Sequence, residues 1–214
     1  MKKTVKQMAL AVMASVTLWS CSGGGDSNSD SLLFGALPGE YLEFLNAKES
    51  LREQAKTVTS ESQFRELQAE AEEQEKEWSA KIEKAAKSLD GRTIAITDGS
   101  IKVVEPLTLT FDGFFSKIDL TAKFMINGKA EAAENISPIG EYPLKSYTVY
   151  IVGYDAQMNE LFASNVGRID AEVSNHKATI PAGTPVVFDY LQFGKKKAEA
   201  YGHATMLKLE ARYR

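Results

Sequence analysis

Hydrophobic residues recur along the chain with two different periods, and the change falls near residue 91. Between residues 38 and 89, apolar side chains return every three or four positions, which predicts helices. From residue 92 onward, apolar and polar residues mostly alternate, as they do in half-buried strands. The pattern therefore predicts an α+β fold, with a helical segment at 37–91 followed by an antiparallel β-sandwich at 92–214.

The helical segment is interrupted at residues 57–60, where β-branched and hydroxyl side chains break the helical pattern. Ser60 and Gln63 have the spacing of a capping box and predict the start of a second helix, which ends where Gly91 can adopt a left-handed cap. At 1.5 Å per residue the second helix is roughly 42 Å long, so part of it should project beyond the sandwich. The two helices form either an αα-hairpin or one kinked helix.

An apolar seam runs along the second helix and is narrow enough to be typical of coiled-coil packing. We expect the first helix and the sandwich of the same chain to cover this seam, and pairing with a second molecule is the alternative. The glutamates in the first half of the helix are interpreted as a solvated face, with a cation or a basic partner as the alternative ligand. The seam consists of Phe64, Leu67, Ala71, Trp78, Ile82, Ala85 and Leu89.

Turn signals divide the period-two region into short strands. Asn127 and Gly128 form the strongest hairpin signal in the chain and predict a turn directly after strand 118–126. Strand 147–154 is apolar on both faces and is expected in the middle of a sheet. The remaining strands are predicted at 107–111, 161–163, 168–173, 177–180, 186–193 and 204–213.

The N-terminus has the organisation of an export signal. Lysines at positions 2, 3 and 6 precede an apolar run that is too short to span a bilayer, and the small residue Ser20 follows it. We therefore predict that residues 1–20 are a signal peptide. The sequence Leu18-Trp19-Ser20-Cys21 resembles the lipobox of bacterial lipoproteins.

This resemblance implies that Cys21 becomes the first mature residue and carries acyl chains that hold the protein on a membrane. The expected location is the cell envelope, at the outer membrane, with Cys21 as the membrane contact. Residues 21–36 are predicted to be a tether, because they begin with small, polar and glycine-rich positions. The short apolar patch Leu32-Leu33-Phe34 near its end is expected to dock on the folded body, and contact with lipid head groups is the alternative.

The C-terminal part, from Ile118 to Arg214, resembles the FxLYD-type immunoglobulin-like domains of exported proteins. The resemblance is carried by an alternating strand that ends at Tyr154-Asp155, by the loop Pro181–Gly183 and by a strand that contains Phe188. It implies an immunoglobulin-like sandwich that serves as a binding or spacer module without catalytic residues. Two short strands between residues 168 and 180 depart from the family pattern.

Charge and composition limit the classes of function that we expect for this chain. The formal net charge is −4, and removal of three signal lysines leaves the mature chain at about −7, so we expect no nucleic-acid partner. Cys21 is the only cysteine, which excludes disulfides and cysteine metal sites from the mature domain. His176 and His203 have no second ligand at metal spacing, and no nucleophile or phosphate-loop motif is present. We therefore expect no metal, no cofactor and no catalytic residue.

Two loops, at 111–115 and 194–202, combine aromatic and cationic residues. If they meet at one end of the sandwich they form a ligand site; alternatively, the phenylalanines plug the sandwich end and the lysines are solvated. The expected function is a non-enzymatic binding or assembly module of the envelope, with a protein partner on the helical segment. The alternative is small-ligand or glycan binding at these loops. The candidate ligand-binding residues are Phe114, Phe115, Lys195, Lys196 and Tyr201.

Overall fold

The computed structural model describes residues 34–138, 143–194 and 197–212. Cys21, Lys195, Lys196 and the predicted signal peptide lie outside the described residues. The described helices are α1 (Leu37–Lys56), α2 (Glu61–Lys87) and α3 (Ala198–His203). The described strands are β1 (Ile101–Ser116), β2 (Thr121–Ala132), β3 (Ser146–Tyr154), β4 (Glu160–Asp170), β5 (Glu172–Ser174), β6 (Lys177–Thr179), β7 (Val186–Phe188), β8 (Tyr190–Phe193) and β9 (Met206–Arg212).

The strands form two main antiparallel sheets. The first sheet has the order β1-β2-β8, the second has the order β7-β4-β3-β9, and β5 and β6 form a separate hairpin. Residues in the alternating inward positions of both sheets, such as Leu109, Phe124, Ile151 and Leu209, are buried in one core. The predicted α+β class with a β-sandwich is confirmed, and β3 has the predicted central position between β4 and β9.

The helices form a hairpin rather than one kinked helix, because α1 and α2 pack side by side after the break at residues 57–60. The backbone N–H of Gln63 donates to the Ser60 hydroxyl at 3.3 Å, and the Gln63 side chain accepts from the backbone N–H of Thr59 at 3.0 Å. The predicted capping box is therefore present, with its return bond shifted by one residue. Gly91 has the predicted left-handed conformation, with φ at 74°.

The beginning of α1 lies inside the sandwich core. Phe34, Leu37 and Tyr41 are completely buried, which confirms the expected docking of Phe34. The Tyr41 hydroxyl accepts from the backbone N–H of Ala122 at 3.0 Å and donates to the carbonyl of Leu120, with the Phe193 carbonyl 3.2 Å away. Burial raises the pKa of Tyr41 well above its usual value. The tyrosine thus joins α1 to the end of the β2–β8 pair.

The apolar seam of α2 is covered only in its C-terminal half. Trp78 is 9% exposed and lies 6.2 Å from the ring of Phe44 on α1, while Ile82 and Leu89 are buried. Cover therefore comes from the same chain, as expected. The first buried residue of α2 is Trp78 and the last of α1 is Phe44, so the outer half of the hairpin projects from the body.

The hairpin turn predicted at Asn127 and Gly128 is wrong. These residues lie within β2, and the turn between β1 and β2 lies at residues 117–120. Pro106 on the facing strand has no N–H to donate, and the register shifts there. Gly128 has φ at 116°, and a Cβ at this position would lie 2.4 Å from the Pro106 carbonyl oxygen. The glycine allows the two strands to approach each other closely, and it is not part of a turn.

The strand predicted at 186–193 is divided between the two sheets. β7 pairs with β4 and β8 pairs with β2, and the chain crosses from one sheet to the other at Asp189, whose N–H donates to the Val166 carbonyl at 2.9 Å. Both predicted functional loops also contain regular structure. Residues 111–115 belong to β1, with an irregularity at Gly113, and residues 198–203 form the short helix α3.

Candidate functional site

A cleft of about 600 Å³ opens between the two sheets. Its position follows from the topology of the sheets. β8 is an edge strand of the first sheet. The part of β4 that precedes Gly167 pairs only with β3 among the described strands, so its other edge borders the cleft. The two strand edges diverge after the crossing at Asp189, and the gap between them is the cleft. The end of β1 and the start of α3 close its other sides.

One wall of the cleft is aromatic. Phe115 from β1 is 59% exposed, and its ring stacks on the ring of Tyr190 with centroids 6.1 Å apart and planes inclined by 26°. Lys123 lies 5.2 Å above the Tyr190 ring and forms a 2.6 Å ion pair with Asp112, which fixes the ammonium beside the aromatic pair. Tyr150 from β3 lines the cleft as a third aromatic residue.

Lys197 closes the cleft at the edge of β4. Its ammonium donates to the Ala163 carbonyl at 2.5 Å and to the Ser164 hydroxyl at 3.2 Å. No carboxylate among the described residues forms an ion pair with Lys197, and burial lowers its pKa. A half-buried ammonium held by two neutral acceptors is an unusual use of lysine, because a buried charge normally has a counter-ion.

Ser164 and Tyr201 support Lys197 from below. The Ser164 hydroxyl is 2.5 Å from the Tyr201 hydroxyl, and the Tyr201 ring packs between Phe162 and Phe193 with centroid distances of 4.3 and 4.5 Å. Ser164 is 4% exposed and Tyr201 is 1% exposed, and burial raises the pKa of Tyr201. The serine oxygen is therefore engaged in the core rather than presented for attack on a substrate.

The structure brings the two predicted loops together, since Phe115 and Lys197 line the same cleft. The individual residues differ from the expected set. Phe114 packs against Phe111 with ring centroids 5.5 Å apart and joins the core, in agreement with the alternative that the phenylalanines fill the end of the sandwich. Tyr201 points into the core because α3 turns its apolar face towards Phe34 and Phe193, so it supports the site without facing a ligand. Lys195 and Lys196 lie outside the described residues.

Sequence reasoning missed most of the residues that line the cleft. Tyr150 and Gln192 lie in predicted strands, Asn165 lies between two predicted strands, and Lys197 belongs to the predicted loop 194–202 without being among the candidate ligand-binding residues. One usable signal was present: Ser164 occupies an inward position of β4 between the apolar residues Phe162 and Val166. A polar side chain in a buried register requires a partner, and here the partners are Lys197 and Tyr201.

The outer half of the helical hairpin, residues 48–77, is a second candidate surface. It carries nine acidic and five basic residues, and Phe64 is 58% exposed. A shallow groove of about 260 Å³ near its tip is lined by Val58, Leu67 and polar residues of both helices. This surface is amphipathic and makes no contribution to the sandwich core.

Two findings on the described part of the chain concern metal ligands and apolar helices. Its His, Cys, Asp and Glu side chains nowhere gather in groups of three that could hold a metal ion. None of its helices combines the length and the apolar character needed to cross a bilayer. Comparison with models of known families, with curated proteins and with solved structures found no match.

Proposed function

We propose that this protein is a lipid-anchored lipoprotein of the cell envelope whose folded body is a non-enzymatic binding or assembly module. The anchor is Cys21, through the lipobox resemblance of residues 18–21. Phe34 is buried in the core, so at most thirteen residue steps separate the anchor from the body. At 3.3–3.6 Å per extended residue this spacing keeps the body within roughly 45 Å of the membrane.

The observation that carries the assembly role is the projecting outer half of the hairpin. Its residues bury nothing in the sandwich, yet they continue the apolar seam through Leu67 to the exposed ring of Phe64. An amphipathic helix pair of this kind suits a partner helix that lies along the seam. The excess of carboxylates over basic residues favours a partner with a basic surface, since complementary charge speeds association and excludes wrong partners.

The anchor is tested by fractionation of cells that produce the Cys21→Ala variant. We expect the variant to remain unacylated and to leave the membrane fraction, because no other anchor is predicted. Recovery of the variant in membranes, with unchanged yield and resistance to salt washing, would contradict the proposal.

The assembly role is tested by photo-crosslinking at two phenylalanines that are equally exposed. A photoreactive phenylalanine analogue at Phe64 should crosslink an envelope protein, and the same analogue at Phe115 should not, although the two side chains are 58% and 59% exposed. The crosslink at position 64 should weaken at high salt, because the partner is attracted by exposed charges. Equal crosslinking at both positions would show that the hairpin has no special role.

A second candidate function is small-ligand binding in the cleft between the sheets. The observation that favours it is the meeting of Phe115, Tyr190 and Lys197 in one concave site of about 600 Å³. Sites that combine aromatic walls with a few fixed polar groups are typical of small-molecule binding. This function is compatible with the assembly role, because the cleft and the outer hairpin share no residue.

A further inference from the structure

We infer that the cleft between β4 and β8 is a saccharide site that takes an uncharged, hydroxyl-rich sugar ring. The inference deepens the second candidate function and rests on it. It follows from three properties of the cleft: an aromatic platform, a lining that mixes donors with acceptors, and a preset ammonium group at its edge.

The platform is the stacked pair of Phe115 and Tyr190. Their planes are inclined by only 26°, and both rings remain accessible, at 59% and 36% exposure. Tyr190 supports the Phe115 ring, which presents a flat apolar surface to solvent. One face of a pyranose ring, which carries mainly C–H groups, matches such a surface. Aromatic side chains also lose little conformational entropy on binding, because they have only two rotatable bonds.

The polar lining suits hydroxyl groups. It includes the carboxylates of Asp119 and Asp189, the amides of Asn165 and Gln192, and the ammonium of Lys197. A hydroxyl both donates and accepts hydrogen bonds, whereas a carboxylate only accepts and an ammonium only donates. A ligand with neighbouring hydroxyls can therefore pair with donors and acceptors of this lining alike, which a purely apolar or purely ionic ligand cannot do.

Lys197 is held in place before any ligand arrives. Two of its three donors are directed at the Ala163 carbonyl and the Ser164 hydroxyl, which leaves one donor for a ligand in the cleft. Ser164 is itself fixed by the buried hydroxyl of Tyr201. Because this support lies in the core, a ligand does not need to pay for ordering the long lysine side chain.

Two other ligand classes fit less well. Among the described residues, Lys197 shares the lining with the carboxylates of Asp119 and Asp189, and Arg168 lies 4.0 Å from Asp189, so an anion would meet carboxylates as well as cations. An added peptide strand would need the free carbonyls along the edge of β4, but Lys197 already occupies the carbonyl of Ala163. A lysine on a sheet edge commonly prevents such strand addition.

The test is ligand-observed NMR on the full-length protein in a detergent that has no sugar head group. The probes are methyl glycosides of glucose, galactose, mannose and N-acetylglucosamine, together with maltose, cellobiose and lactose, at millimolar concentration. We expect saturation transfer to at least one of them, strongest at the ring protons that face Phe115. Phe115→Ala should weaken this binding roughly tenfold or more, as expected for a central aromatic contact. Phe64→Ala is the matched control and should leave binding unchanged.

The remaining outcomes separate the saccharide inference from the proposed functions. Binding of inorganic phosphate or acetate that depends on Lys197, without binding of any sugar, would overturn the saccharide class and leave a small-ligand site. Sugar binding that survives Phe115→Ala would overturn the placement in the cleft. Absence of binding by every probe would remove both the inference and the second function, while crosslinking at Phe64 reports on the assembly role independently.

Discussion

The inner and outer halves of the helical hairpin have the same apolar periodicity and different surroundings. At the inner end, Tyr41, Phe44, Trp78 and Ile82 are buried against each other and the sandwich. At the outer end, Phe64 is exposed although it continues the same seam. The comparison shows that a helical period identifies a helix, whereas the sheets it meets decide how much of its apolar face is buried.

The outer half is supported mainly by local interactions. Arg65 and Glu61 form an i,i+4 ion pair at 2.5 Å, and Arg52 and Glu49 form an i,i+3 pair at 3.2 Å, but both pairs are exposed. Such pairs contribute about 0.3–0.5 kcal/mol each. The outer half should therefore open locally more easily than the inner half, which shares the core of the sandwich.

Removal of the whole hairpin should have the largest effect on stability. The period-two pattern predicts that residues 92–214 fold alone, but Phe34 and Tyr41 fill the space beside Phe193 and Tyr201. A chain that spans residues 92–214 should therefore lose cooperative unfolding, measured by circular dichroism during urea denaturation. As the matched control, replacement of residues 49–73 by a short Gly-Ser linker should preserve cooperative unfolding. Cooperative unfolding of the 92–214 chain would show that the helices are dispensable.

Replacement of a single aromatic residue by alanine should have a smaller effect on stability, and the effect should differ between the two halves. Trp78→Ala should reduce the free energy of unfolding by about 3 kcal/mol or more, because it leaves a cavity beside Phe44. Phe64→Ala should change it by less than about 0.5 kcal/mol, as is usual for an exposed side chain. Urea denaturation at neutral pH measures both values. Similar losses for the two variants would show that the outer half is also covered in solution.

Tyr41→Phe tests the hydrogen bonds that fix the inner end. The change keeps the ring but leaves the N–H of Ala122 and the carbonyl of Leu120 without their hydroxyl partner in a buried place. Leaving buried backbone groups unpaired should cost about 1–3 kcal/mol of the free energy of unfolding. Tyr190→Phe is the control and should have little effect on stability, because this side chain is partly exposed at the cleft. An unchanged stability of Tyr41→Phe would mean that water replaces the hydroxyl.

The smallest effect is expected far from the hairpin, on the outer surface of the second sheet. Arg212 donates to both carboxylate oxygens of Glu160, at 3.1 and 2.8 Å, and these hydrogen bonds lower the pKa of Glu160. Because the folded pKa lies below the unfolded value of about 4.3, this contribution is present at neutral pH and is lost as the pH falls through the folded pKa. Glu160→Gln should thus be less stable than the native chain at pH 7, by under about 1 kcal/mol, with the difference vanishing in acid. Urea denaturation at both pH values measures this, with Glu199→Gln as the control, and a difference that is independent of pH would contradict it.

The sequence predicts the elements of this fold better than their partners. Ser60, Gln63 and Gly91 act locally, so the helix boundaries were accessible from the pattern. The turn predicted at Gly128 is wrong because the role of this glycine depends on Pro106, a residue 22 positions earlier that lies on the facing strand. The cleft was only partly predictable for the same reason. Phe115, Ser164, Tyr190 and Lys197 meet through the crossing of β7 and β8 between sheets, which no local pattern encodes.

The hydrogen bonds of Tyr41 also constrain the order in which the chain can fold. They connect residues separated by 79 and 152 positions, the longest reach being to Phe193. Contacts of such high contact order form late, because a long loop must close first. A chain that emerges from its N-terminus can therefore pair α1 with α2 and β2 early, but Tyr41 lacks its contact with Phe193 until β8 exists. Completion of the aromatic core must wait also for Tyr201 on α3, which packs between Phe162 and Phe193, so it falls late in chain synthesis, when β9 is the one described element still to be added.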